Sequence, residues 1–329
     1  MDTAVLLSMI VATAPPVIFA VLGETICERA GVINLGLDGM LVLSAMTSFA
    51  AAATTGSLAV GFLAGAAVGI LVALVLAIGT LTLRQSQFAI GFVLTLLCRD
   101  LAYVLGRSFE HQAGPQVAPL SLPGLASVPV LGPIFFQQNM LVYAALACVF
   151  ATWFYLYHTQ AGLRLCGLGE NPQAAFARGV NVVRQRYLYV CLGGALTGLG
   201  GAAFSLFVRP GWCRPDGITG TGWIALAIVI FGGWHPVRAA LGACLFVALQ
   251  ILAVRWQGAL PSGIPSQLLT CIPFPLMIFA LLLVTLTRSE GTQRVLARLP
   301  TGLQNVIEWF LNILKATPPA ALGQDFRRD

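Results

Sequence analysis

The chain has 329 residues, of which 58% are hydrophobic and 9% are charged, and its formal net charge at pH 7 is +6. Charged residues usually make up about a quarter of a soluble domain, so this composition excludes an ordinary soluble domain and predicts a polytopic membrane protein. Apart from Lys315 the cations are arginines, and most of them stand between apolar runs. Lipid head groups and membrane topology account for them, and we expect no nucleic-acid partner.

Apolar stretches separated by polar turns predict an all-α, polytopic transmembrane helical bundle of about nine spans, with a range of roughly eight to ten. Pro15 and Pro16 are expected to kink or break the first span. In the third span Gly61, Gly65 and Gly69 lie four apart, the spacing of small residues that permits close helix contact. The predicted spans are 3–22, 32–53, 58–83, 87–106, 139–157, 188–208, 218–233, 239–254 and 268–287.

The arginines between the spans predict the orientation of the bundle. If residues 158–187 are cytoplasmic and the spans alternate, ten arginines lie inside and four outside. This predicts a multi-pass protein of the inner cell membrane with an external N-terminus and a cytoplasmic C-terminus. The inner arginines are Arg29, Arg84, Arg164, Arg178, Arg184, Arg186, Arg238, Arg288, Arg294 and Arg298, and the outer ones are Arg107, Arg209, Arg214 and Arg255.

Residues 1–290 are therefore expected to form the transmembrane domain, and residues 291–329 a cytoplasmic tail. Apolar residues in the tail recur on one helical face, which predicts an amphipathic helix over 301–316, on the inner leaflet or packed on the bundle. Residues 317–329 are expected to be frayed. The apolar face consists of Leu303, Val306, Ile307, Phe310, Leu311 and Leu314.

The stretch 161–181, AGLRLCGLGENPQAAFARGVN, is polar in an otherwise apolar chain. Asn171 can cap a helix with its side-chain oxygen, and Pro172 suits the first helical position. Gly179 can adopt the left-handed conformation that ends a helix. The predicted helix of about two turns is marginal on its own in water. We therefore expect it to pack against something, and we interpret it as the element through which another protein moves this one.

A second polar cluster, residues 23–39, allows two interpretations. In one, Asn34 and Asp38 share a helix face and meet substrate or hydrogen-bond across a broken helix. In the other, Asp38 caps a helix that begins at Gly39, and the charged residues before it form a solvated inner turn. Those charged residues are Glu24, Glu28 and Arg29.

The fourth predicted span contains two adjacent charged residues, Arg99 and Asp100. Neighbouring residues point about 100° apart on a helix, so each is expected to need its own partner. Arg99 either snorkels to the outer surface or lines a pathway for a polar solute. Four hydroxyl groups could face such a pathway or bond back to their own helices, namely those of Thr95, Thr197, Thr219 and Thr221.

Motifs for covalent chemistry are missing from the sequence. There is no GxxxxGK[ST] loop, and Lys315 is the one lysine, so the chain has no phosphate-binding loop of that type. His111, His158 and His235 are isolated, and HExxH and GxSxG arrangements are absent. We expect no enzymatic activity, no metal site and no cofactor in this chain.

Three blocks resemble one family, the permease subunits of ABC importers in the nucleoside and simple-sugar group, which is related to the branched-chain amino-acid permeases. The first, GLRLCGLGENPQAAFARGVNV, starts at Gly162 and is similar to the family's cytoplasmic loop. The others are LGETICERAGVINLGLDGMLVLSA at 22–45 and GTGWIALAIVIFGGWHPVRAALGA at 220–243. In its length and early start, the chain resembles the shorter of the two permeases that such systems often carry.

The resemblance implies cytoplasmic ABC ATPase subunits that bind ATP, a second permease or a copy of this chain, and an extracytoplasmic substrate-binding protein. It implies that the ATPases act on the loop 158–187. The coupling residues expected from the matched motif are Gly162, Arg164, Glu170, Asn171, Pro172, Ala174, Ala175 and Gly179.

The function expected from these observations is ATP-driven import by alternating access. The solutes would be nucleosides, ribose-like sugars or, third in order, branched-chain amino acids. A secondary transporter or channel without an ATPase is the alternative. The candidate pathway residues are Asn34, Asp38, Thr95, Arg99, Asp100 and Thr221.

Overall fold

The computed structural model describes residues 3–117, 137–214, 217–257, 275, 318–324 and 326. All regular elements in these ranges are helices, which confirms the predicted class. The predicted amphipathic helix at 301–316 and, except for Pro275, the predicted last span lie outside the described residues. The helices are α1 (Thr3–Thr13), α2 (Pro15–Arg29), α3 (Leu37–Thr55), α4 (Leu58–Ala77), α5 (Gln87–Leu105), α6 (Met140–His158), α7 (Gln160–Glu170), α8 (Pro172–Ala177), α9 (Val182–Ala203), α10 (Thr221–Gly232) and α11 (Pro236–Gln257).

Six of the described helices, some with a 3₁₀ or π turn at their end, are long and apolar enough to cross a membrane. They include α3, α4, α5, α6, α9 and α11. The helices α1 and α2 are bent by 48° relative to each other, where Pro15 and Pro16 start α2. If this bent pair counts as one span, the described residues contain seven. The break expected at these prolines is thus confirmed, whereas the count of about nine spans is not.

The helix α10 shows why one predicted span is shorter than expected. It has 12 residues, which at 1.5 Å per residue gives about 18 Å, less than the hydrocarbon core of about 30 Å. The residues that flank it, Gly220 and Gly233, have φ angles of 92° and 65°. These left-handed conformations stop the helix at both ends.

The helix α9 occupies the middle of the bundle and packs against α2, α3 and α4. At the α4–α9 contact, an added Cβ on Gly69 would overlap the carbonyl oxygen of Gly194, and one on Gly198 would overlap that of Gly65. The backbones touch because neither helix has side chains there. The close contact predicted from the glycine spacing is confirmed.

The connection between α2 and α3 turns back into the bundle. The helix α2 runs to Arg29, beyond its predicted end, and the chain reverses at Gly31, whose φ is +87°. The reversed segment 32–36 lies beside α2, where the Asn34 amide donates to a Glu24 Oε atom at 2.9 Å. Glu24 is five residues before the end of α2, about 7.5 Å along the axis. The helix α3 therefore begins inside the bundle, beside the last turns of α2.

Candidate functional site

Asp38 joins two helix N-termini within the bundle. Its side chain is 2% exposed, and one carboxylate oxygen accepts hydrogen bonds from the amides of Gly220 at 2.8 Å and Gly222 at 2.9 Å. These amides belong to the first turn of α10, where a negative charge is favourable. The prediction that Asp38 caps its own helix at Gly39 is wrong, because α3 already begins at Leu37. The carboxylate caps α10 instead.

Asn34 lies in the reversed segment and not on a helix, so the prediction that it shares a helix face with Asp38 is wrong. Its side-chain oxygen accepts from the Gly36 amide at 3.0 Å, which leaves the backbone in a turn that a helix would not allow. Its side-chain NH₂ is buried and has no hydrogen-bond partner among the described residues. The side-chain NH₂ group of Asn34 can therefore donate a hydrogen bond to a polar ligand.

The glutamates of the 23–39 cluster are buried, so the predicted solvated inner turn is wrong. Glu24 is 0% and Glu28 is 2% exposed. A Glu28 carboxylate oxygen accepts from the indole N–H of Trp234. Arg29 donates to the Trp234 carbonyl at 3.1 Å and to the Tyr157 hydroxyl at 3.3 Å. The end of α2 is thereby tied to α6 and to the turn after α10.

The helix α5 packs on the reversed segment through its first three turns. Gln87 accepts from the Ile33 amide at 2.9 Å, and the Thr95 hydroxyl donates to the Leu35 carbonyl at 2.7 Å. The Thr95 bond crosses to another segment, contrary to the bond within its own helix that we expected as one of two alternatives. The side-chain NH₂ of Gln87 is buried and, like that of Asn34, lacks a partner in the described part of the chain. Sequence reasoning missed Gln87, because its partners lie 54 residues away.

The other threonines behave differently from Thr95. Thr197 bonds back to Gly193 at 3.0 Å, as expected for a helix interior. Thr219 shares a hydrogen bond of 3.3 Å with the Tyr103 hydroxyl. Thr221 is the partly exposed first residue of α10, next to the amides that Asp38 binds. The structure thus brings Asn34, Asp38, Thr95 and Thr221 to the region where α3, α5 and α10 meet.

Arg99 and Asp100 do not join this region. They pair with each other at 3.4 Å, so the prediction that each needs a separate partner is wrong, because the long arginine side chain folds back along the helix. Their side chains are 34% and 69% exposed. Asp100 lies opposite the buried stripe of α5 and is surrounded by exposed apolar side chains. These are Val93, Leu96, Leu97 and Val104.

A cavity of about 430 Å³ opens beside the end of α9. Its lining combines aromatic, cationic and amide groups, including His111, Gln112, Arg209 and Trp212. The His111 amide donates to the Trp212 carbonyl at 3.1 Å, which ties the two walls together. Sequence reasoning did not find this cavity, because its walls come from loops about 100 residues apart.

The helix α8 has the caps that the sequence predicts. The Asn171 side chain accepts from the Ala174 amide at 2.9 Å, and Pro172 is the first helical residue. At the other end Gly179 has a φ of +83°. Its amide donates to the Phe176 carbonyl at 2.8 Å, and the Val180 amide donates to the Ala175 carbonyl at 3.1 Å. This is a Schellman termination. The predicted boundaries of the short helix are confirmed to within one residue.

The loop around α8 is anchored by glycines, while α8 itself projects from the bundle. An added Cβ on Gly162 would overlap the Tyr155 carbonyl, and one on Gly169 would overlap that of Arg29. Arg164 and Glu170 are exposed, and α8 has no buried side chain. The expectation that α8 packs against something is met within this chain only by limited contacts. Its surface is open to a partner.

The comparisons agree with this architecture. The family model described as "Branched-chain amino acid transport system / permease component" matches residues 6–285. The nucleoside ABC transporter permease NupC of Lactococcus lactis is 36% identical over 82% of this chain and 88% of its own length. The guanosine ABC transporter permease NupQ of Bacillus subtilis is 33% identical over 85% and 93%. A Haloferax volcanii permease provisionally named for glucose transport is 38% identical over 77% and 78%.

No solved structure matches the chain. The family model covers more than half of the residues, and the relatives are aligned over most of their lengths. Permeases of ABC transporters are not enzymes themselves, since the ATPase activity lies in partner subunits. The chain therefore belongs to the permease-component family of ABC transport systems.

Proposed function

We propose that this chain is a transmembrane permease subunit of an ATP-driven importer that moves nucleosides, or a related small polar solute such as a ribose-like sugar, into the cell by alternating access. The names of the relatives support nucleosides and sugars. Branched-chain amino acids come third, supported by the family description. The observation that carries the proposal is α8, a capped helix with no buried side chain.

The helix α8 and its flanks are the site on which cytoplasmic ABC ATPases act. Caps at both ends stabilise this short helix, and Ala175 and Phe176 add contacts with the rest of the chain. Asn171, Pro172 and Gly179 set its ends. Between them Ala174 is exposed, whereas Ala175 is half-buried against the bundle. Gly162 and Gly169 hold the loop against the bundle, so that movement of α8 reaches α6 and α2. Arg164 and Glu170 supply exposed charges next to this surface.

The solute pathway runs past the junction of α3, α5 and α10. The N-terminal amides of α10 and the side chains of Asn34, Asp38, Thr95 and Thr221 gather there. Helix ends and irregular backbone inside a membrane protein commonly form the sites for polar solutes. The unpartnered NH₂ groups of Asn34 and Gln87 are suited to the hydroxyl and carbonyl oxygens of a nucleoside. A movement of α10 would open or close the junction.

A second permease, or a copy of this chain, covers the exposed face of α5. A carboxylate such as Asp100 is too costly to leave in hydrocarbon, so its face meets protein or a water-filled path rather than lipid. Arg99 and Asp100 then line the boundary between the two permeases. In the three organisms named above, a second permease with the same named solute matches at only 26–28% identity. This pairing favours a heterodimer.

The remaining partners follow from the transport cycle. An extracytoplasmic binding protein delivers the solute to the cavity beside the end of α9, and ATP is bound by the ATPases, with no cofactor in this chain. The protein lies in the inner cell membrane with its N-terminus outside and its C-terminus in the cytoplasm. The distribution of arginines supports this orientation.

The test is solute uptake into vesicles that contain this chain, the second permease, the ATPases and the binding protein. Ala174→Glu, on the exposed face of α8, should abolish co-purification of the ATPases and lower ATP-driven uptake more than about tenfold, because a carboxylate would enter the interface. Thr54→Glu, which places the same charge on the opposite end of the bundle, is the control. Unchanged association and uptake in Ala174→Glu, at normal membrane abundance, would contradict the proposal. Uptake driven by an ion gradient in vesicles with this chain alone would establish the alternative.

A further inference from the structure

The described residues of the C-terminal segment 318–326, which are 318–324 and Phe326, pack against the ends of α2 and α7 and against α8, although the sequence predicts a frayed end. The Ala321 amide donates to the Gly169 carbonyl at 2.9 Å, and the Gly323 amide donates to that of Gly31 at 3.0 Å. The Ala321 side chain is only 3% exposed. The first bond satisfies a carbonyl at the end of α7, and the second holds the reversal after α2. The segment therefore bonds to two helix ends at once, next to the direct backbone contact between Gly169 and Arg29.

A buried arginine fixes this connection. Arg186 on α9 is 1% exposed, the largest side chain that is fully buried among the described residues. Its Nε donates to the Ala30 carbonyl at 3.1 Å, and its Nη1 donates to the Gln324 carbonyl at 2.9 Å. The first carbonyl lies at the C-terminus of α2, where a cation is favoured by the helix dipole. In the sequence analysis Arg186 served only as one of the ten arginines that predict the orientation of the bundle.

The segment also reaches α8. The rings of Phe326 and Phe176 have centroids 5.6 Å apart and planes inclined by 56°, a favourable aromatic arrangement. Both rings line a cavity of about 450 Å³ beside α8, and Arg84 and Arg184 stand on its other walls. The tail touches α8 at one end and the base of α2 at the other.

We propose that residues 318–326 are a coupling element, held by Arg186, that transmits displacement of α8 to α2 and to the reversed segment at the junction. This rests on the proposed function, because it assigns a second route by which the ATPases would act on the solute pathway. The direct route passes through α7 into α6 and, at Gly169, to the end of α2. The tail adds a link from Phe176 through Phe326 and Gln324 to Arg186, Ala30 and Gly31. Arg186 is a positioning residue, since it acts through the tail and α2.

The experiment compares Phe326→Ala with Phe326→Leu in the assembled transporter, with Phe150→Ala on the exposed face of α6 as the control. Phe326→Ala should assemble with the ATPases and hydrolyse ATP at the wild-type basal rate. The solute imported per ATP should fall about fivefold, because the aromatic contact with α8 is lost. Phe326→Leu should restore most of this ratio. An unchanged ratio in Phe326→Ala, or a loss of ATPase binding in place of a loss of ratio, would overturn the proposal.

Hydrogen exchange of segment 318–326 tests the link without relying on transport. The amides of Ala321 and Gly323 should exchange slowly in the wild type and faster in Arg186→Gln, whereas Arg186→Lys should lie between them. Fast exchange in the wild type would overturn the inference. Slow exchange together with no ATP-driven uptake by the wild-type assembly would instead contradict the proposed function, so the two failures are distinguishable. If Arg186→Gln does not fold, the Phe326 variants still decide the question.

Discussion

The loop that carries α8 and the junction at Asp38 satisfy their polar groups in opposite ways. In the loop the caps are local: Asn171 binds an amide three residues ahead. At the junction Asp38 binds amides 182 and 184 residues away. A locally closed helix can move as a unit without breaking its own bonds. The junction keeps its geometry only while α3, α5 and α10 keep their relative positions. Relative motion of these helices therefore changes its hydrogen bonds directly.

The largest effect is expected at the junction. Asp38→Ala removes the acceptor from two buried amides of α10, and hydrogen bonds to a charged group are worth about 1.5–3 kcal/mol each. We expect a loss of stability of about 3 kcal/mol or more, measured as Tm in detergent, and uptake lowered more than about tenfold. Asp38→Asn keeps one acceptor oxygen and should retain about half of the lost stability. A Tm within one degree or so of the wild type in Asp38→Ala would show that the cap is not needed.

The glycine contact in the core should give the next effect. Gly69→Ala places a methyl group against the Gly194 carbonyl, so the helices α4 and α9 must move apart. Overpacking of this kind costs about 1–3 kcal/mol, and we expect a lower Tm with little change in selectivity. Gly167→Ala, on α7 with open space around it, is the matched control and should be neutral or slightly stabilising. Equal Tm values for the two variants would contradict the close contact.

The local cap should give a smaller effect that leaves the bundle intact. Asn171→Ala removes the bond to the Ala174 amide and costs about 1 kcal/mol of helix stability. Because α8 buries no side chain, the Tm of the bundle should not change. Import per ATP should fall about threefold to fivefold, and Asn171→Ser, which keeps a capping oxygen, should restore it. A fall in Tm of the same size as for Asp38→Ala would erase the distinction between the two regions.

The smallest effect is expected at the exposed pair on α5. Exposed ion pairs contribute little to stability, so Arg99→Gln should leave Tm unchanged. It should shift the ratio of nucleoside to sugar uptake by about twofold to threefold if the pair lines the pathway. Arg107→Gln, at the outer end of the same helix, is the control. Unchanged uptake of every solute tried would remove Arg99 from the pathway.

The same contrast explains what the sequence could predict. Helix caps and the glycine spacing in α4 depend on residues within one or two turns, so pattern alone identified Asn171, Gly179 and Gly65. The partner of Asp38 and the burial of Glu24 depend on a reversal at Gly31 that brings separate segments together. Hydropathy predicted the end of α10 near Gly233 but not its start, because Gly220 stops the helix by its backbone conformation inside the predicted span 218–233. The family resemblance identified the class of protein but not these contacts.

The packing of the tail has a consequence for biosynthesis. Gly31, Gly169 and Arg186 are translated more than 130 residues before their partners, which are Gly323, Ala321 and Gln324. A nascent chain can therefore insert its first spans and fold α8 while the base of α2 is still open. Only after the segment at 318–326 has been translated can the face around α8 and the base of α2 be completed. ATPases would then dock to that face only after residues 318–326 have been synthesised. Synthesis of the permease would therefore precede assembly with the ATPases.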